Sequence, residues 1–156
     1  MRSAVRKAYS ATARQVERVI PALNRDGDCL SDLVLPMFGS IAGAESVLLA
    51  FDDDHEIDVA MAEAPHGTAP SLQGKDLANP MAMILAGAAL LNYAHVRGIK
   101  GADRASRAIY ESVLETIAGG TKTLDHGGEA GTTEFTDAVI AKVRSKIDIW
   151  SSLGTR

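Results

Sequence analysis

Two short stretches of this 156-residue chain carry side chains suited to chemistry. The first holds Asp28 and Asp32. On a helix, a spacing of four sets both carboxylates on one face, a turn apart. Two such anions repel unless a cation sits between them, and hard oxygen ligands of this kind suit Mg²⁺ or Mn²⁺. The same spacing also fits an aspartate favoured by a helix start, with a solvated partner one turn on. An EF-hand does not fit, because the residues after Asp26 and Asp28 lack its third acid, its glycine and its closing glutamate. The second stretch is Glu63-Ala64-Pro65-His66-Gly67-Thr68-Ala69-Pro70, running on to Asn79. Glycine and small residues after a strand let the backbone approach a flat or phosphorylated ligand, and His66 can stack on or hydrogen-bond to a base. A plain surface loop with a locally satisfied histidine accounts for the same residues. No glycine fingerprint of the dinucleotide-binding kind is present.

The remaining reactive residue types are scattered. His55, His95 and His126 lack ligand spacing and read as surface or local-structure residues. Cys29 has no base partner and reads as a small buried filler. As the lone cysteine it allows no internal disulfide and fits a reducing compartment. Asp52-Asp53-Asp54 reads as a solvated turn.

The elements that must position these groups follow from periodicity and punctuation. Residues 2–18 carry Val5, Ala8, Tyr9, Thr12, Ala13 and Val16 at helical spacing, which predicts an amphipathic helix. Their basic, Ser/Thr-bearing composition also fits a mitochondrial presequence. Residues 19–23 predict a strand remnant, and Asn24-Arg25-Asp26-Gly27-Asp28 has the chemistry of a turn. A helix is expected from Leu30 up to Pro36, followed by a Gly-rich stretch at 39–43. Residues 47–51 and 59–63 predict two strands joined by the acidic turn. Beyond a Gly/Pro-rich loop at 64–80, Asn79 as cap and Pro80 at the first position start a helix that stops near Gly98. A second helix is expected from Asp103 to Gly119, and a third capped by Thr132 or Thr133.

Composition narrows the class. With 46% hydrophobic and 23% charged residues the chain is typical of a soluble globular protein, long enough to bury a core. A net charge of −4 gives no reason to expect nucleic acid. The longest apolar run, around residues 81–91, is interrupted by Gly87 and reads as a buried helix, so no membrane association is expected. The expected compartment is the cytoplasm, with the mitochondrial matrix as the alternative.

Taken together, the two reactive stretches carry a resemblance. Gly27-Asp28-Cys29-Leu30-Ser31-Asp32-Leu33 resembles the Gly-Asp-x-(Ile or Leu)-Ser-Asp metal motif of the isocitrate and isopropylmalate dehydrogenases. His66-Gly67-Thr68-Ala69-Pro70, with Gly74-Lys75 and Ala78-Asn79-Pro80, resembles the coenzyme loop of the same family, and Glu134-Phe135-Thr136-Asp137-Ala138-Val139 its last helix. The match runs from about Asn24 to Val143. It implies an α/β fold, helix-rich with a few strands, equivalent to the C-terminal part of the isopropylmalate dehydrogenase-like fold and incomplete beside it. Residues 1–23 would be an N-terminal helix and connector, and 24–156 the family-like region.

The resemblance also implies roles. Asp28 and Asp32 would hold Mg²⁺ or Mn²⁺, which chelates a small 2-hydroxy acid and polarises the carbonyl made by hydride transfer. His66, Gly67, Thr68, Ala69 and Asn79 would contact the adenosine end of NAD or NADP. The family places an acid or a lysine after Pro70 to choose between the two coenzymes; Ser71 is neither, so the choice stays open. The segment 37–45 departs from the family's Gly-Leu-rich pattern. The substrate-binding Ser or Thr, arginine cluster, catalytic Tyr, Lys and third Asp of the family have no recognisable counterpart in residues 1–23. The expectation is therefore a partial dehydrogenase, inactive alone, that self-associates or pairs with a missing N-terminal half. The alternative is a short non-catalytic paralogue acting as a metal- or nucleotide-binding regulatory subunit.

Overall fold

The computed structural model describes residues 20–38 and 44–153. The helix expected at 2–18 and the Gly-rich stretch at 39–43 lie outside the described residues. Helix α1 (Asn24–Val34) runs into a 3-10 turn (Leu35–Phe38). The strands β1 (Ser46–Phe51) and β2 (Ile57–Glu63) come next, then a loop with a 3-10 turn (Pro70–Leu72). The helices α2 (Met81–Val96), α3 (Ala102–Ala118) and α4 (Thr132–Leu153) complete the order, with a 3-10 turn (Leu124–His126) before the last. This is the expected α/β, helix-rich arrangement.

The strands form an antiparallel hairpin, Ser46 opposite Glu63, with an irregularity between Ala50 and Phe51. The acidic turn closes it as expected. One Asp52 carboxylate oxygen accepts from the amides of Asp54 (3.0 Å) and Glu56 (2.9 Å), reinforcing the backbone bonds Asp52 N to Glu56 O and His55 N to Asp52 O (both 3.0 Å). Helix α2 lies against β2 on one side and α3 on the other. Its alanines Ala82, Ala86, Ala88 and Ala89 are buried, as are Ala102 and Ala108 of α3. Small side chains let the two helices approach closely, and Ser106 Oγ donates to the Ala88 carbonyl across that seam (2.7 Å). Where α2, α3 and α4 meet, Met81, Leu85, Val113, Phe135 and Val139 form the core. At the other end of α4, Lys146 donates to Glu115 (2.6 Å) and Glu111 (3.2 Å), pinning α4 to α3.

Three expectations are corrected. Asn24–Asp28 is not a turn but the first part of α1, whose hydrogen bonding already begins at Gly27 N to Leu23 O (2.7 Å); local turn preference loses to continuous helical backbone bonding. Residues 20–23 form no strand, since β1 and β2 pair only with each other among the described residues. Cys29 is exposed rather than a buried filler. Among the described residues α1 packs substantially only on the 3-10 turn that follows it, which leaves the thiol exposed.

Candidate functional site

The loop after β2 is shaped by backbone conformations that its sequence does not favour. Ala69 adopts a left-handed conformation (φ 41°, ψ 64°) and turns the chain into the short helix Pro70–Leu72. Gly74 (φ 72°) and Asp76 (φ 55°) follow in the same region. A non-glycine residue with positive φ persists only where its surroundings fix it. For Asp76 those surroundings are the start of α4. The Thr132 amide donates to the Asp76 carbonyl (3.0 Å), and one Asp76 carboxylate oxygen accepts from both the Thr133 amide (2.8 Å) and the Thr133 hydroxyl (2.7 Å). A carboxylate at a helix N-terminus is favoured both by the unpaired amides and by the helix dipole. The cap of this helix thus comes from a residue far back in the sequence. The hydroxyls of Thr132 and Thr133, expected to cap, instead donate to the loop, Thr132 to the Ala78 carbonyl.

The start of α2 falls one residue later than expected, with Pro80 rather than Asn79 at the cap and Met81 as the first helical residue; Asn79 Oδ1 still accepts from the Met81 amide (3.0 Å). The other end of the same amide group donates to an Asp125 carboxylate oxygen (2.9 Å), whose second oxygen accepts from Thr123 Oγ1 (2.5 Å). Asn79 therefore ties the loop to the 3-10 turn before α4. His66 Nδ1 lies 3.0 Å from the Gly67 carbonyl oxygen. A carbonyl can only accept, so in the neutral ring Nδ1 carries the hydrogen and Nε2 is left as an acceptor.

The result is an open groove of about 1160 Å³. His66, Gly67, Thr68, Ala69 and Asn79, the residues proposed from sequence, all line it. Asp76, Leu124, Asp125 and Thr132 line it as well, and the sequence reading did not single these out. Their only sequence signal was the helix start at Thr132, which marks the end of an element but not what it faces.

Asp28 and Asp32 lie elsewhere, both on α1 and both exposed. Their spacing on a helix does set them on one face. Two carboxylates match the oxygen preference of Mg²⁺ or Mn²⁺, but among the described residues no group of three or more His, Cys, Asp or Glu side chains could hold a metal ion. The pair is half a donor set rather than a site.

A third feature is the pairing of Tyr110 on α3 with Glu45, just before β1, by a hydrogen bond from the phenol to the carboxylate. Burial, first, and that carboxylate, second, push the Tyr110 hydroxyl well above the usual phenol range. It remains a fixed donor and acts as a clasp between the hairpin and the helices.

These features coincide with a known family. The model of the isocitrate/isopropylmalate dehydrogenase family matches residues 7–139, and the chain belongs to that family. It is 39% identical to the catalytic subunit 5 of the mitochondrial NAD isocitrate dehydrogenase of Arabidopsis thaliana, over 74% of this chain and 28% of that protein. It is 38% identical to the 3-isopropylmalate dehydrogenase of Novosphingobium aromaticivorans, over 80% of this chain and 34% of that protein. The crystal structure of a beta-decarboxylating dehydrogenase from Thermococcus kodakarensis superposes with a TM-score of 0.65 at 30% identity, covering 90% of this chain and 39% of that one. The chain thus spans about a third of the length of the curated relatives it matches.

Proposed function

We propose that the chain is the coenzyme-binding portion of a dehydrogenase that oxidatively decarboxylates a 2-hydroxy acid such as isocitrate, isopropylmalate or tartrate. The observation that carries this reading is the convergence of His66, Gly67, Thr68, Ala69 and Asn79 on one groove, in a chain of this family. Gly67 adds to it. A Cβ built at that position meets nothing within 4 Å, so the fold itself does not require glycine there. The space beside Gly67 is open, and Gly67 lies on the groove lining.

Gly67→Val tests the reading. The protein's stability should change by no more than about 0.5 kcal/mol, as for surface substitutions generally. Binding of NAD, followed by calorimetry, should weaken at least about tenfold, or 1.4 kcal/mol. Unchanged NAD binding would rule the groove out as the coenzyme site.

Asp28 and Asp32 are the proposed ligands for Mg²⁺ or Mn²⁺, which when bound would polarise the oxygens of the hydroxy acid. With two carboxylates and no third ligand among the described residues, affinity in the chain alone should be poor. Mn²⁺ titrated against the unmodified protein and Asp32→Asn should bind the variant more weakly. Equal binding would remove these residues from the role.

The chain by itself should not turn over. Hydride transfer needs a base at the substrate hydroxyl while substrate and nicotinamide are held in a near-attack arrangement. The family's base and arginine cluster have no recognisable counterpart in this sequence. Coenzyme reduction with isocitrate, isopropylmalate or tartrate and either metal should stay at background. Turnover abolished by Asp28→Ala would contradict this; activity restored only by a separate N-terminal polypeptide would establish a split enzyme.

A partner or second copy is part of the same reading. Leu48, Val59 and Met61 of the hairpin and Met83 and Leu90 of α2 are large apolar side chains left exposed. No described helix is long and apolar enough to cross a membrane. We place the protein in the cytoplasm, with the mitochondrial matrix as the alternative.

A further inference from the structure

We propose that a second groove, between β2 and the C-terminal end of α2, binds a free α-amino acid with a small apolar side chain. Arg97 takes its carboxylate and Asp58 its ammonium group. This groove shares no lining residue with the groove at His66–Asn79, so the proposal stands apart from the coenzyme reading.

The hairpin supplies the acid. Along the ladder Ala50 faces Val59 and the next residue, Phe51, faces Ile57, so Asp58 is an extra residue with no partner on β1. A bulge of this kind re-aims a side chain and recurs beside binding sites. Asp58 lies on the groove lining, and among the described residues no hydrogen bond or ion pair occupies its carboxylate. Helix α2 supplies the cation. Leu90, Ala94 and Arg97 fall at helical spacing on one face, which borders the groove against β2. Arg97 Nη1 donates to the Ile57 carbonyl (3.0 Å), which ties the guanidinium to the groove and leaves its other N–H donors for a ligand.

Asp58 and Arg97 are the only charged residues on this lining, and they form no ion pair with each other. Apart from Tyr93 the rest of the lining is aliphatic. An anion alone would meet Asp58 and a cation alone would meet Arg97, whereas a zwitterion complements both. Arg97 is bonded to the peptide unit that joins Ile57 to Asp58, so the two charges sit around a single peptide. That suits a ligand whose ammonium and carboxylate share one carbon. The groove measures about 180 Å³. This is room for about six waters, so the apolar body must be short.

The test follows amide chemical shifts of the full chain on titration with three compounds. These are valine, isovalerate, which lacks the ammonium group, and valinamide, which lacks the carboxylate. Valine should move Asp58, Ala60, Ala94 and Arg97 with only millimolar affinity, since ion pairs at a surface contribute little. Each analogue should bind at least about threefold more weakly. Asp58→Asn should weaken valine and valinamide but not isovalerate, and Arg97→Met should weaken valine and isovalerate but not valinamide. No shift at these amides with valine at tens of millimolar, or equal binding of the three compounds, would overturn the proposal. Both substituted side chains are exposed. Should Arg97→Met fail to fold through loss of its bond to Ile57, Asp58→Asn and the three compounds decide alone.

Discussion

Replacing Phe135 by alanine is expected to lower the free energy of unfolding by about 3–5 kcal/mol, the range for a fully buried phenylalanine. Phe135 is only 1% exposed and is the largest fully buried side chain among the described residues. It stands at the junction of α2, α3 and α4, against Met81, Leu85, Val113 and Val139. Its removal leaves a void that three packed helices cannot close without losing other contacts. Domains of this size hold a net stability of about 5–15 kcal/mol, so the variant should be close to unfolded. The consequence reaches the groove, because Phe135 is one turn along α4 from Thr132 on the lining. Urea unfolding followed by circular dichroism measures the loss. A loss below about 1 kcal/mol, the cost of a mild surface change, would show that the helices are not packed as described.

The Gly131→Ala substitution should act on the groove more directly than on the core. A Cβ there would lie 2.4 Å from one Asp76 carboxylate oxygen and 2.9 Å from its carbonyl oxygen. Both are held in place by the start of α4, so neither can simply swing away. Overpacking of this kind costs about 1–3 kcal/mol, and loss of the cap adds about 0.5–2 kcal/mol. Asp76 would be driven off Thr132 and Thr133, and with it the loop that places Ala78 and Asn79 on the lining. NAD binding should fall at least tenfold alongside a lower melting temperature. Calorimetry and a thermal melt on the same sample check both. A variant that melts and binds as the unmodified protein does would mean that Asp76 does not organise the groove.

What the sequence made legible was local. The hairpin was readable because two apolar runs flank an acidic turn, and Asp52 helps close that turn with its own side chain. The start of α2 was readable to within one residue because Asn79-Pro80 offers a capping side chain and a fixed φ; Pro80 takes the cap position, and Asn79 bonds the Met81 amide. His66 to Ala69 were singled out through the resemblance of the loop to the family's coenzyme loop, since residue pattern alone fits a plain surface loop equally well; the structure places them on the groove lining. The groove's other wall was not readable. Asp76 caps a helix that begins at Thr132, and Asp125 orients an amide at Asn79. Such pairings depend on how loops close in space and leave no period in the chain. Cys29 shows the reverse error: residue type suggested burial, but burial belongs to the packing of α1, and the described residues leave that helix uncovered.

The groove as coenzyme site is the claim on which most of the account depends, and amide chemical shifts in the full chain test it most directly. On titration with NAD, shifts should move at His66, Gly67, Thr68, Ala69, Asp125 and Thr132, which line the groove from distant parts of the sequence. Residues on the far side of the fold, such as Arg107 and Trp150 at the outer contact of α3 and α4, should stay still. No change at millimolar coenzyme, or changes confined to that outer surface, would contradict the assignment.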